Sequence, residues 1–120
     1  MVTIFKSFYK GFRIFVRVMK LLTLNIDSIK ALCEKYHVRS LFAFGSVTRD
    51  ELTPLSDIDL IVDIENTDPF TYTEDYFGLK FQLEQLLKRH VDLLEVRAVK
   101  NPYLNQVIDS SKVLVYGKGN

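Results

Sequence analysis

The segment from Ile58 to Ile64 constrains this chain more than any other. Ile58, Leu60, Val62 and Ile64 alternate with Asp57, Asp59, Ile61 and Asp63. A period of two sends the aliphatic set to one side and the acidic set to the other, which reads as a strand with one buried face. Such a strand needs partner strands beside it and a layer of structure over its apolar side. With 120 residues, 48% of them hydrophobic and 26% charged, the chain has the size and balance of one globular domain.

The flanking pattern supplies that layer. Ile29, Leu32, Cys33 and Tyr36 fall at helical spacing, with Asn25 or Asp27 placed to cap the start. Residues 39–44 are strand-like and end at Gly45, and Ser46 to Arg49 suits a turn or short helix. Residues 51–56, with Pro54, form a loop. After a second loop from Asn66 to Phe70, Thr71 and Glu74 are spaced as a capping box for a helix running to about residue 88. Its apolar stripe is Tyr76, Leu79, Leu83, Leu86 and Leu87. Residues 91–96 form a third strand. Asn101-Pro102 opens another helix with Leu104, Val107 and Ile108 facing inward, and residues 113–116 form a last strand stopped by Gly117. This order predicts a mixed sheet covered by helices, in the α/β (α+β) class.

The expected domain spans 25–117, with a short tail at 118–120. The preceding 24 residues mix Phe5, Phe8, Phe12, Phe15 and Val16 with Lys6, Lys10, Arg13, Arg17 and Lys20, and contain no acid. Basic residues interrupt each apolar stretch, so a signal peptide fits poorly. A leader or loosely packed extension, a helix packed on a partner and a membrane-surface helix all remain open. No apolar run reaches the roughly 18–20 residues that span a bilayer. The single Cys33 allows no internal disulfide, which points to the cytoplasm. A net charge of +1 gives no electrostatic footprint for nucleic acid.

The chemistry concentrates in Gly45-Ser46, ten further residues, then Asp57-Ile58-Asp59. Carboxylates two apart on a strand project from one face, and their mutual repulsion is relieved by a cation. Mg²⁺ suits one or two carboxylates completed by phosphate and water. Gly45 lets backbone approach a phosphate. Ser46 offers a hydroxyl and an N–H at the start of a helical turn, and Arg49 offers a forked donor to the same anion. Asp92, early in the third strand, completes a triad if that strand lies beside Asp57 and Asp59, and it could then take a proton from an attacking hydroxyl.

These residues resemble the minimal nucleotidyltransferases of the polymerase-β-like superfamily, the MNT proteins. Gly45-Ser46, Arg49, Asp57, Asp59 and Val91-Asp92-Leu93 carry the resemblance, which extends from about Ile26 to Tyr116. It implies the polymerase-β-like fold and phosphate contacts by Ser46. It also implies metal binding by Asp57, Asp59 and Asp92, and activation of the nucleophile by Asp92. In one respect the chain departs from that pattern: Asp50 stands where a glycine usually follows the arginine. An acid there can tighten the turn or oppose triphosphate binding.

Members of the superfamily acting on antibiotics or nucleic acids generally carry an acceptor-binding domain, and none is expected after Gly117. The resemblance therefore implies an acceptor supplied by a partner, a small helical HEPN protein forming a toxin–antitoxin pair. The expected activity is transfer of AMP from Mg²⁺-ATP to a tyrosine of that partner. The alternatives are a non-catalytic module that neutralises the HEPN protein by binding, and a transferase acting on a small molecule or RNA end.

Other polar and aromatic residues read as structural. Asp63, Glu95 and Arg97 are expected on solvated faces, and His37 and His90 at helix ends without a role. Cys33 is expected in the core, and Tyr72, Tyr76 and Phe77 in packing rather than stacked on a base.

Overall fold

The computed structural model describes residues 16–44, 58–65 and 68–117. Residues 16–24 are helical (α1), followed by α2 (Ile26–Lys35), β1 (Val38–Ala43), β2 (Ile58–Ile64), α3 (Pro69–Leu87), β3 (Val91–Glu95), a 3₁₀ turn (Val96–Ala98), α4 (Pro102–Ser111) and β4 (Val113–Gly117). The four strands form one mixed sheet in the order β3-β2-β1-β4. β1 runs antiparallel to both β2 and β4, while β2 and β3 are parallel. A parallel pair requires a crossover connection, and α3 supplies it.

The larger core lies between the sheet and helices α1 to α3. Leu22, Ile29, Cys33, Leu41, Leu60, Val62, Leu79 and Leu83 are buried there. Residues 16–24 thus belong in part to the folded body, although they read as an extension. Leu22 is 2% exposed, and Val18, Met19 and Leu21 pack against the core. The remainder of that segment, residues 1–15, lies outside the described residues.

The helix boundaries have local causes. Asn25 occupies the N-cap position of α2 without a side-chain capping bond. Its amide instead donates to the Leu21 carbonyl at 2.9 Å, at the end of α1. α3 starts before the Thr71–Glu74 pair: Asp68 is the N-cap, its carboxylate accepting from the Thr71 N–H, and Pro69 follows in the first turn. Proline is tolerated there because its missing N–H would have had no helical partner. Thr71 also donates its hydroxyl to Asp68 at 2.7 Å. α3 ends at Lys88, in the left-handed region at φ 56°. α4 begins as expected, with the Asn101 side chain accepting from the N–H groups of Tyr103 and Leu104.

Gly78 brings α3 against the end of α2. A Cβ there would sit 2.9 Å from Cζ of Tyr36 and nearer still to Cε1. At Gly117, φ is +104° and the backbone of Arg39 and Ser40 leaves no space for a Cβ, so only glycine fits at this paired strand end.

β2 is covered on both faces, which differs from the expectation of one buried face. Ile61, on the acidic side, is 5% exposed and packs with Phe44 and Ile108. α4 lies over that second face and anchors through Ile108, whereas Leu104, expected inward, is exposed.

Side chains of α3 satisfy backbone groups along β3, an edge strand whose ladder would otherwise be open. Glu84 accepts from the Val91 N–H at 3.0 Å, and the Tyr76 hydroxyl donates to the Leu93 carbonyl at 2.5 Å.

Candidate active site

Asp59 and Asp92 each occupy the second position of a strand, and β2 and β3 are parallel, so both sit at the same end of the sheet. The register pairs them directly, Asp59 with Asp92. Adjacent strands lie roughly 4.7–4.9 Å apart, so the backbones of the two acids are neighbours. Ile58, Leu60, Val91 and Leu93 are buried in the larger core. Alternation therefore turns Asp59 and Asp92 to the opposite face, where both are half-buried. The strand adjacency on which the triad depends is present.

The carboxyl end of β1 meets the same place. Phe44 donates its N–H to the Asp59 carbonyl at 3.2 Å, which brings the chain beside Asp59 at the residue before Gly45. Ile58, the residue after Asp57, donates its N–H to the His90 carbonyl at 3.0 Å. Gly45, Ser46, Arg49 and Asp57, together with Asp50, lie outside the described residues. The described part of the site is thus a pair of hard-oxygen donors at one end of the sheet. One pair further along the same face lie Ile61 and Leu94, beneath α4.

Asp92 also influences a neighbour. Burial first, and then the charge of Asp92, push the Tyr76 phenol above its ordinary value. Tyr72 and Tyr76 pack against the main core, as expected of this aromatic group. Phe77 does not share that burial: it is 60% exposed and meets the Tyr76 ring edge-on at 5.1 Å. Burial and then the Glu95 carboxylate likewise raise the Tyr72 phenol.

Several charged residues read as solvated have partners. Asp63 pairs with Arg39 at 3.4 Å and with Arg97 at 3.6 Å. Arg97 lies in the 3₁₀ turn rather than on the strand. It donates to the Ile64 carbonyl at 2.7 Å and to Glu95 at 3.2 Å, and Glu95 also accepts its backbone N–H. This cluster closes the end of the sheet away from Asp59 and Asp92. His37, at φ 59°, meets the buried Asp75 through Nδ1 at 2.9 Å. That pair joins the end of α2 to α3, and nothing in the spacing of residues 37 and 75 announced it. Cys33 is fully buried, and burial pushes its thiol up to about 12.

A nucleotidyltransferase domain model matches residues 27–115, and the chain belongs to that family. It is a minimal nucleotidyltransferase. Over 86 residues it is 40% identical to a protein of Methanocaldococcus jannaschii classed as a protein adenylyltransferase, covering 72% of this chain and 85% of that one. A solved structure classed as a minimal nucleotidyltransferase superimposes with a TM-score of 0.61 at 29% identity, covering 78% of this chain and 92% of that chain. The fold is shared with a Shewanella oneidensis complex of a tri-AMPylated HEPN toxin with its MNT antitoxin. There the TM-score is 0.56 at 23% identity, over 81% of this chain and 73% of that chain.

Proposed function

We propose that this chain is a Mg²⁺-dependent, cytoplasmic adenylyltransferase that moves AMP from ATP to a hydroxyl of a protein partner. We propose further that the partner is a helical HEPN toxin, modified on tyrosine and thereby silenced, so that the chain acts as an antitoxin. The observation that carries the reading is the register placing Asp59 beside Asp92 on one face of the sheet. Support comes from the adenylyltransferase relative and from the AMP-bearing HEPN toxin held by a protein of the same fold.

Asp57, Asp59 and Asp92 would hold the cation, their hard oxygens being the donors that Mg²⁺ prefers. When bound, Mg²⁺ supplies charge neutralisation for the phosphates. Gly45 and Ser46 present backbone and hydroxyl donors to the polyphosphate, and Arg49 adds a forked cationic donor. Asp92 accepts the proton of the attacking hydroxyl. A bond forms from that oxygen to the α-phosphorus while the bond to the bridging oxygen breaks and pyrophosphate leaves. Positioning and electrostatics do most of this work.

The test is incubation of the chain with α-labelled ATP, Mg²⁺ and its helical partner. Label on the partner that is absent with Asp59→Asn supports the reading. Neutralisation of the partner without label would leave a binding module instead. Mg²⁺ is expected to raise the melting temperature of the wild type and not of Asp59→Asn.

A further inference from the structure

The end of the sheet that carries Asp59 and Asp92 also carries a cation on the far side of β1. Ala43 pairs with Val113 in the antiparallel β1–β4 ladder, so one step further along sets Lys112 across from Phe44. Phe44 bonds to Asp59, and Asp59 pairs with Asp92. Lys112, one residue before β4, and Phe44, one residue after β1, thus line up with Asp59 and Asp92 at this end of the sheet. The Lys112 ammonium lies 4.8 Å from the centroid of the Phe42 ring. Phe42 borders the cluster of Phe44, Ile61 and Ile108, so Lys112 stands on the face of the sheet that Asp59 and Asp92 occupy.

Lys112 is held yet available. Its ammonium lies over an aromatic ring, its side chain is only 27% exposed, and it follows directly on the last residue of α4. Its ion-pair partner is Asp109 at 3.3 Å, whose side chain is 70% exposed. A pair so open to water contributes little, and an anion with more charge can displace it. Between Lys112 and the acid pair lies the end of β1, the point at which the chain enters Gly45-Ser46.

We infer that Lys112 is a positioning residue for the nucleotide's polyphosphate, contacting the β- and γ-phosphates from the β4 side while the carboxylates act from the β3 side. This rests on the nucleotidyl-transfer reading and deepens it. A lysine is suited to the task because a point charge on a flexible stem follows a phosphate chain without demanding one geometry. Pyrophosphate, the leaving group, would carry the charge that Lys112 balances.

The experiment measures binding of Mg²⁺-ATP and of AMP to the full chain and to Lys112→Met and Lys112→Arg, with melting curves to confirm folding. Lys112→Met is expected to weaken ATP roughly tenfold or more, the scale of a lost charged hydrogen bond. AMP binding should stay unchanged, and Lys112→Arg should restore most of the loss. Equal ATP affinity in Lys112→Met and wild type overturns the inference, as does an equal loss for AMP. Failure of the wild type to bind ATP overturns both this inference and the functional reading. ATP binding without transfer to the helical partner overturns the reading alone, because the difference between ATP and AMP still decides the role of Lys112.

Discussion

Asp92 carries two separable consequences of its position beside Asp59. With Asp92 in the proposed role of base, Asp92→Asn is expected to lower the proposed adenylyl transfer roughly a hundredfold or more, the scale of a lost general base. It should not lower the melting temperature, since it removes a like charge from the pair. It should also lower the pH at which the Tyr76 phenol titrates, because Asp92 is the second cause of that shift after burial. An ultraviolet titration of the folded protein reads this directly, independently of catalysis. Cys33 offers a contrasting test of burial. The folded chain keeps the thiol proton up to about 12 while the unfolded chain releases it near 9.0. The unfolded state therefore gains stability as pH rises between those values, by roughly 1.4 kcal/mol per pH unit at most. Chemical denaturation across that window should show a steeper loss in the wild type than in Cys33→Ala. Tyr72 and Tyr76 act in the same direction in both proteins and cancel in the comparison.

At the level of elements, α3 does more than cross from β2 to β3. Its Glu84 and Tyr76 occupy backbone groups of β3, and Asp75 takes His37 from the end of α2. The orientation of α3 therefore bears on where Asp92 sits. Its start depends on Asp68, whose carboxyl is held below its ordinary value of 3.8 chiefly by the Thr71 hydroxyl and then by the Thr71 N–H. A depressed carboxyl stabilises the fold above that ordinary value, and the contribution fades as pH falls through the lower folded value. Asp68→Ala should therefore lower the melting temperature at neutral pH, and the gap from wild type should close in strong acid. Melting curves at neutral and acidic pH check this.

For the whole molecule, the two sides of the sheet differ in purpose. One side is closed by the large core under α1 to α3. The other carries the Asp59–Asp92 pair at one end, the small Ile61–Ile108 cluster in the middle and the Asp63–Arg97 pairs beyond. The reach of the large core into α1 is testable at Leu22. Leu22→Ala should destabilise the protein by about 2–5 kcal/mol, as for other buried leucines, measured by urea denaturation. A value near zero would place α1 outside the folded body.

Much of this was legible in the chain because it depends on short-range periodicity. The Ile58–Ile64 alternation, the leucine stripe of α3 and the Asn101-Pro102 start of α4 each declare a local conformation within a few residues. The acidic residues at positions 57, 59 and 92 declare hard-oxygen donors. What stayed hidden required knowing which elements meet in space. That Asp59 faces Asp92 follows only from the parallel register of β2 and β3, thirty-odd residues apart. Cover over Ile61, a partner for His37, the place of Leu22 in the core and the alignment of Lys112 with Asp59 and Asp92 are likewise set by tertiary packing. Sequence determined the elements and the chemistry each could offer. Tertiary structure alone decided which groups share a face, because long-range contacts answer to buried area and backbone pairing, which no local pattern records.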